Sequence, residues 1–536
     1  MRASRTGKLV RTIAGGLLGG VIAWLLFGTA PIAMAAAGEG HDGGTVVRVD
    51  TGLLQGARSD GVDSFLGVPY AQPPTGDLRW RPPQPPQPWN GVRGALAFGN
   101  RCPQAASTNG PRSETEDCLF LNVWRPANAH PGDRLPVYFW IHGGGLLNGS
   151  SNQHDGTFIV QNTRILVVSI NYRLGVFGFL AHPALTSEAG QSGNYGLMDQ
   201  QAALQWVQRN IAAFGGDPRR VTIGGESAGG WSVCAHLSAP GSQGLFARAI
   251  IESGSCPSQT LARAEATGTS IAQSLGCADA ATAAQCLRAQ SAVRLLDAPP
   301  AGPTLVVRRV PVLPLDPDVA VRTGQFAQAP VLVGANRDEG RTFAQGFIGL
   351  TKEQYTGFVQ AVFGPRAAAV LALYPWPAAA DAFTAAYLAG AIITDAGLAA
   401  SIGGCANRSL TQALAQHTRT FAYEFDHRTG PGLNPNPVGY VWGAGHAAEL
   451  AYMWPSFDNG VPIAPTFNSA ERRLAIDMVH YWGSFVRSGH PSAEDSAAWL
   501  RFDPTRRIMS LRAGGESTLI SDAAVAAEHH CDFWTA

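Results

Sequence analysis

The chain has 536 residues, of which 45% are hydrophobic and 15% charged. That balance excludes a disordered chain and leaves enough apolar material for a large core. Lysine plus arginine equals aspartate plus glutamate at 39 each, so the zero net charge gives no support to a nucleic-acid partner.

At the N-terminus Arg2, Arg5, Lys8 and Arg11 precede an apolar run from Ile13 to Ile32, then Ala33-Met34-Ala35 and Ala35-Ala36-Ala37. A basic segment, an apolar segment and A-x-A sites describe a signal peptide over residues 1–37, and so a secreted or periplasmic protein. An uncleaved anchor is the competing reading, because the run approaches the roughly 20 residues that span a bilayer. Glycines within the run and its small-residue end favour cleavage. No second apolar span is expected, hence no stable membrane span in the mature chain. Eight cysteines, an even number, fit an oxidising compartment. None has a metal-ligand spacing with histidine, so no metal is expected.

Beyond the leader, Val46 to Val49 and Gly52 to Gln55 predict an antiparallel start. The pattern then changes to buried strands alternating with helices, the signature of a mainly parallel sheet covered on both faces. The strands fall at Pro136 to Ile141, Ile165 to Ile170, Val221 to Gly224, Ala249 to Glu252, Val331 to Gly334 and Thr420 to Phe425. Their C-terminal ends are where chemistry is expected in an open α/β sheet. Two segments, Leu261 to Leu296 and Arg366 to Ala400, read as helical excursions.

Gly225-Glu226-Ser227-Ala228-Gly229 joins a strand-like run to a helix-like one. This context predicts a strained strand-to-helix turn with an exposed serine nucleophile, the glycines letting strand and helix pass without a Cβ clash. The helix beginning there aims its free N–H groups at negative charge developing beside Ser227.

The longer run Phe214-Gly215-Gly216-Asp217-Pro218-Arg219-Arg220-Val221-Thr222-Ile223-Gly224 leading into that turn resembles the active-serine signature of the type-B carboxylesterase/lipase family, which includes the cholinesterases. Glu116-Asp117-Cys118-Leu119-Phe120-Leu121-Asn122-Val123-Trp124-Arg125-Pro126 resembles its second signature, and the likeness runs from about Val46 to Trp534. The resemblance implies an α/β-hydrolase fold: one catalytic domain over residues 38–536, with a large, mostly parallel sheet, helices on both faces and excursions walling a gorge. It implies hydrolysis of small-molecule carboxylic esters through an acyl-enzyme, without a cofactor.

By the same resemblance the catalytic residues are Ser227, Glu339 and His446. Glu339 stands directly before Gly340 after the strand Val331 to Gly334, with Asp338 as its local rival, and His446 lies in Gly443-Ala444-Gly445-His446, with His427 as an alternative. His142-Gly143-Gly144-Gly145 resembles the oxyanion loop, with donors from Gly144, Gly145 and Ala228. Glu226 brings a second carboxylate to the pocket. Leu146 stands where relatives often have an aromatic residue, and is expected to alter the pocket wall. Arg79 and Glu116 occupy positions of a buried structural ion pair, and Asn148 and Asn407 begin glycosylation sequons. The implied disulfides are Cys102 with Cys118, Cys277 with Cys286, and Cys405 with Cys531. Cys234 and Cys256 are left open between a fourth pair and buried thiols. Specialised hydrolases of the same mechanism, such as a lipase, a polyester hydrolase or a natural-product esterase, share every one of these motifs. The alternative of another class is a noncatalytic adhesion or binding module, a use the resemblance implies for relatives that have lost the nucleophile.

Overall fold

A computed structural model describes residues 45–298 and 304–535 of the chain. Residues 1–37, read as a signal peptide, lie outside the described residues.

Sixteen described strands occur in chain order: β1 (Val46–Val49), β2 (Gly52–Gln55), β3 (Ala57–Ser59), β4 (Val62–Pro69), β5 (Val92–Gly94), β6 (Phe120–Pro126), β7 (Leu135–Ile141), β8 (Leu166–Ile170), β9 (Gly216–Glu226), β10 (Arg248–Glu252), β11 (Gln259–Thr260), β12 (Val307–Arg308), β13 (Val331–Asn336), β14 (Thr420–Phe425), β15 (Arg507–Leu511) and β16 (Thr518–Ser521). Eleven form one sheet in the order β16-β15-β14-β13-β10-β9-β7-β8-β6-β4-β3. From β15 to β8 every neighbouring pair is parallel. Antiparallel partners flank this block, β16 on one side and β6, β4 and β3 on the other. All six strands expected from the sequence lie in the parallel block. The expected antiparallel start forms as β1 and β2, but joins β5 in a separate three-stranded sheet.

Side chains alternate between the two faces of the block, as a period of two requires. Val137, Phe139 and Ile141 of β7 enter one apolar core with Val221, Ile223, Ala249, Ile251, Val331 and Val333. Tyr138, Trp140, Ile250, Leu332, Phe421, Tyr423 and Phe425 enter another. Apolar residues at both parities are why these strands read as near-continuous hydrophobic runs.

Both predicted excursions are helical, as Leu261–Ser274, Ala283–Arg288 and Ala292–Leu296, and as Ala367–Leu373 and Thr384–Ala396. The Arg79 guanidinium donates to Glu116 and to the carbonyls of Arg288 and Gln290, stapling the first excursion to the body. One described stretch, Lys352–Leu373, is long and apolar enough to cross a membrane by length and hydropathy, against the expectation of no second apolar span. It breaks at the single turn Gly364–Arg366 and packs one side onto the protein through Tyr355, Phe358, Val359 and Val370, while most of its other residues are exposed or half-buried.

Four disulfides close loops: Cys102–Cys118, Cys234–Cys256, Cys277–Cys286 and Cys405–Cys531. The pair left open is bonded, tying the helix Ala228–Ser238 to the segment after β10. Each closure limits the unfolded chain and stabilises by about 2 to 4 kcal/mol. Asn407 is only 8% exposed and donates through Nδ2 to the Gly334 carbonyl at 3.0 Å, so its amide is not open to glycosylation in the folded protein.

Candidate active site

Strands β7, β9 and β13 deliver the candidate residues at one end of the sheet, and the loop after β14 adds the histidine. Ser227 follows β9 with φ 56° and ψ −120° and caps the helix Ala228–Ser238. This conformation is costly for a residue with a side chain, and it is held from outside: the Ser227 N–H donates to the Glu252 carbonyl at 2.9 Å, while its own carbonyl accepts from Trp231 at 2.9 Å. The flanking glycines are needed for space. A Cβ on Gly229 would sit 2.0 Å from the Ile141 oxygen, and one on Gly225 would sit 2.6 Å from the Gly229 carbonyl carbon.

Glu339 is fully buried in the turn after β13, where one carboxylate oxygen accepts the Asn336 backbone N–H at 2.8 Å. The other lies 2.6 Å from His446 Nδ1. A carboxylate only accepts, so this contact fixes the imidazole with Nδ1 protonated. The two loops are laced together by Asp338 N–H to the Ala444 carbonyl (2.8 Å), His446 N–H to the Glu339 carbonyl (3.3 Å) and Thr342 hydroxyl to the His446 carbonyl (3.1 Å). Phe343 covers the imidazole, ring centroids 4.8 Å apart.

Both rivals are engaged elsewhere. Asp338 binds the Arg428 guanidinium through two hydrogen bonds of 2.7 and 2.8 Å and accepts the Ala444 N–H. His427 faces Glu471 at 3.3 Å.

His446 Nε2 lies 3.1 Å from Glu226 Oε1, at ion-pair distance but without the alignment of a hydrogen bond. The other Glu226 oxygen stands over Gly143, 2.7 Å from where a Cβ would be, and Ser227 Cβ is 3.1 Å from the same point. Glu226 therefore sits between the serine, the imidazole and the glycine loop. Among the described residues, Ser227 Oγ has no hydrogen-bond partner.

In the loop after β7, Gly144 and Gly145 have φ of 101° and 65°, left-handed values open to glycine. Among the described residues, the N–H groups of Gly144, Gly145 and Ala228 donate to no protein acceptor. A Cβ on Gly145 would meet nothing within 4 Å, so that face is open. Leu146 packs into the core at 1% exposure with φ 59°, and presents little of itself to a substrate. Its neighbour Leu147, 43% exposed, is the side chain open to solvent.

Beneath the site lies a set of carboxyl groups that the motifs did not reveal. Glu252 accepts from Trp482 Nε1 at 2.8 Å and from the Tyr138 hydroxyl at 3.2 Å, and Glu449 accepts from the Asn336 side chain. Burial, reinforced by Glu449, raises Glu252 to about 8. Burial and Glu339 raise Glu449 to about 7. Burial pushes Glu226 well above the ordinary carboxyl range, and Glu449, Glu339 and Glu252 add to this against the pull of His446. For His446 burial opposes the charge, but Glu226 and Glu339 outweigh it and raise the imidazole to about 9. Glu226 and His446 thus compete for one proton and titrate as a unit. The signal for Glu252 was a carboxylate ending the apolar run Ala249-Ile250-Ile251, an anomaly in a buried strand.

Residues 43–534 match the carboxylesterase family along nearly the whole chain. The chain belongs to that family. This esterase is 36% identical to the fumonisin B1 esterase of Sphingopyxis macrogoltabida, over 91% of this chain and 90% of that protein. It is 34% identical to an acylcarnitine hydrolase of Mus musculus, over 86% of each. A solved structure of a thermophilic pNB esterase superposes with a TM-score of 0.75 at 30% identity, covering 90% of this chain and 99% of that one. The fold is the α/β-hydrolase fold, and the enzyme is a carboxylic ester hydrolase acting on small-molecule esters.

In this esterase the spacing at the serine turn leaves no room for a methyl group. Gly229→Ala would drive a Cβ into the Ile141 carbonyl and shift strand, turn and glycine loop together. The expected result is a loss of stability of about 3 kcal/mol and of activity by about 100-fold or more. Thermal unfolding and kcat/KM measured on the same preparation check both.

Proposed function

We propose that the esterase is exported and works as a serine hydrolase. In this reading Ser227 is the nucleophile, His446 the general base and Glu339 the group that orients it. The backbone N–H groups of Gly144, Gly145 and Ala228 are the oxyanion donors. The observation that carries the reading is the 2.6 Å contact between Glu339 and His446 Nδ1, in the loops beside a serine held at φ 56°.

The steps follow from these positions. Neutral His446 takes the Ser227 proton at Nε2 as Oγ attacks the ester carbonyl, and the oxyanion is met by the free amide donors. Collapse of the tetrahedral intermediate expels the alcohol, which leaves with the proton from Nε2. Water then attacks the acyl-enzyme with His446 again as base, and the carboxylic acid departs. Nε2 rests near Glu226 in the free enzyme; a base hydrogen bond that tightens only with substrate bound is common in such sites.

His446 must be neutral to act, so activity rises with pH through the imidazole's raised pKa of about 9. Glu226→Gln removes a carboxylate 3.1 Å from Nε2, and the acid limb of kcat/KM is expected to move down by about 1 to 3 units. A pH profile of both proteins checks this. An unmoved limb would place the shared proton on Glu226.

The 36% identity to the fumonisin B1 esterase favours a second reading for the substrate, a bulky natural-product ester. A p-nitrophenyl ester series from acetate to palmitate, run beside fumonisin B1 as the bulky ester, separates the two. Fast turnover of short chains supports a broad esterase. Preference for the bulky ester supports the specialised one. No turnover of any ester contradicts both.

A further inference from the structure

Five arginines gather at the end of the sheet opposite the active site. Arg134 precedes β7, Arg220 lies in β9, Arg248 opens β10, Arg419 precedes β14, and Arg487 lies in the last turn of the helix Ser469–Ser488. These strands are parallel, so their starts lie along one edge of the sheet while Ser227 and Glu339 follow their far ends. The seven steps along the chain from Arg220 to Ser227 span roughly 23 Å when extended.

Contacts tie the cluster together. Arg220 donates to the Arg134 carbonyl at 2.9 Å and to the Arg487 carbonyl at 3.1 Å. Arg248 donates to the Val486 carbonyl at 3.3 Å, and Arg487 to the Thr163 carbonyl at 2.8 Å. Gly489 lets two guanidiniums close over the chain: a Cβ there would lie 3.0 Å from Arg248 Nε and 3.3 Å from Arg419 Nη2. Among the described residues, no carboxylate pairs with any of the five. The adjacent Arg219 pairs with Asp217 at 3.3 Å, a carboxylate that Arg220 also helps to hold below its ordinary range, and Asp133 turns its carboxylate to the His130 N–H at 2.9 Å.

Capping the Ser469–Ser488 helix explains only part of this. Its C-terminal carbonyls offer about −0.5 of a charge, against the guanidiniums of Arg220, Arg248 and Arg419, which stay charged at any working pH. Burial, and then the neighbouring Arg220 and Arg419, hold the half-buried Arg248 below its ordinary range, as crowded like charges must. A tetrahedral oxyanion would relieve the repulsion, and the Arg fork matches its oxygens.

We propose that Arg248 and Arg419, with Arg220 beside them, form a binding site for a phosphate group, separate from the catalytic site. The overall charge of zero conceals it, because acidic residues counted over the whole chain balance the basic ones.

The test is a thermal-shift and calorimetric titration of the whole esterase with sodium phosphate, against sodium chloride at matched ionic strength. A second arm sediments the protein with vesicles of phosphatidylglycerol or phosphatidylcholine. Phosphate is expected to raise Tm beyond chloride. The double variant R248Q/R419Q should bind phosphate on the order of 100-fold more weakly, with turnover of a p-nitrophenyl ester unchanged. Binding to the anionic vesicles alone, lost in the double variant, identifies a lipid headgroup as the source; a phosphate shift without vesicle binding identifies a free anion. Equal shifts with phosphate and chloride and no vesicle binding overturn the site. So does undiminished binding by a folded, active double variant.

Discussion

Replacing Ser227 with alanine is expected to lower kcat for a p-nitrophenyl ester by on the order of 10⁶-fold, with Tm nearly unchanged. The size follows from the chemistry, since the acyl-enzyme cannot form without the hydroxyl and only the oxyanion donors and binding remain. The unchanged Tm follows from the structure. Ser227 Oγ has no protein partner to lose, and the turn is held through the backbone by Glu252 and Trp231, contacts that alanine keeps. A variant that loses activity and stability together would assign the serine to the fold.

Glu339→Gln is expected to lower kcat by on the order of 10⁴-fold. The amide oxygen can still accept the Asn336 N–H, so the turn after β13 should persist. What is lost is the charge 2.6 Å from His446 Nδ1, which selects the tautomer and stabilises the imidazolium formed as Ser227 gives up its proton. Asp338→Asn is the control. It faces Arg428, Arg341 and the Ala444 N–H rather than the imidazole, so it should weaken the loop and leave kcat within a few-fold. Steady-state kinetics and thermal unfolding of both variants decide the assignment, and a larger kinetic effect from Asp338 would reverse it.

Six of the seven strands of the parallel block were legible because their buried stretches read as apolar runs; the seventh, β15, Arg507-Ile508-Met509-Ser510-Leu511, interrupts its apolar residues with Arg507 and Ser510 and was not expected. The serine turn was legible because its glycines serve geometry: a Cβ on either Gly225 or Gly229 would run into the Ile141 carbonyl oxygen. The rest depends on distances the sequence does not hold. β9 begins at Gly216, five residues before the expected Val221, because Asp217-Pro218-Arg219-Arg220 are poor strand formers placed by their neighbours. β16 is half-exposed and exists through pairing with β15. Glu252 and Glu449 come from segments nearly 200 residues apart in the chain and meet only in the fold. Cys234 and Cys256 pair because the helix after Ser227 runs beside the end of β10. Leu146 is buried with a left-handed φ of 59°, a backbone conformation that its residue type does not announce.

The central claim is that Ser227 is the nucleophile of this esterase. Treatment with diisopropyl fluorophosphate, followed by intact-mass measurement and peptide mapping, tests it most directly. The account predicts one adduct per chain, on Ser227, forming in step with loss of esterase activity and absent from Ser227→Ala. Full inactivation with the adduct on another residue, or an enzyme that hydrolyses esters while resisting the reagent, would contradict it.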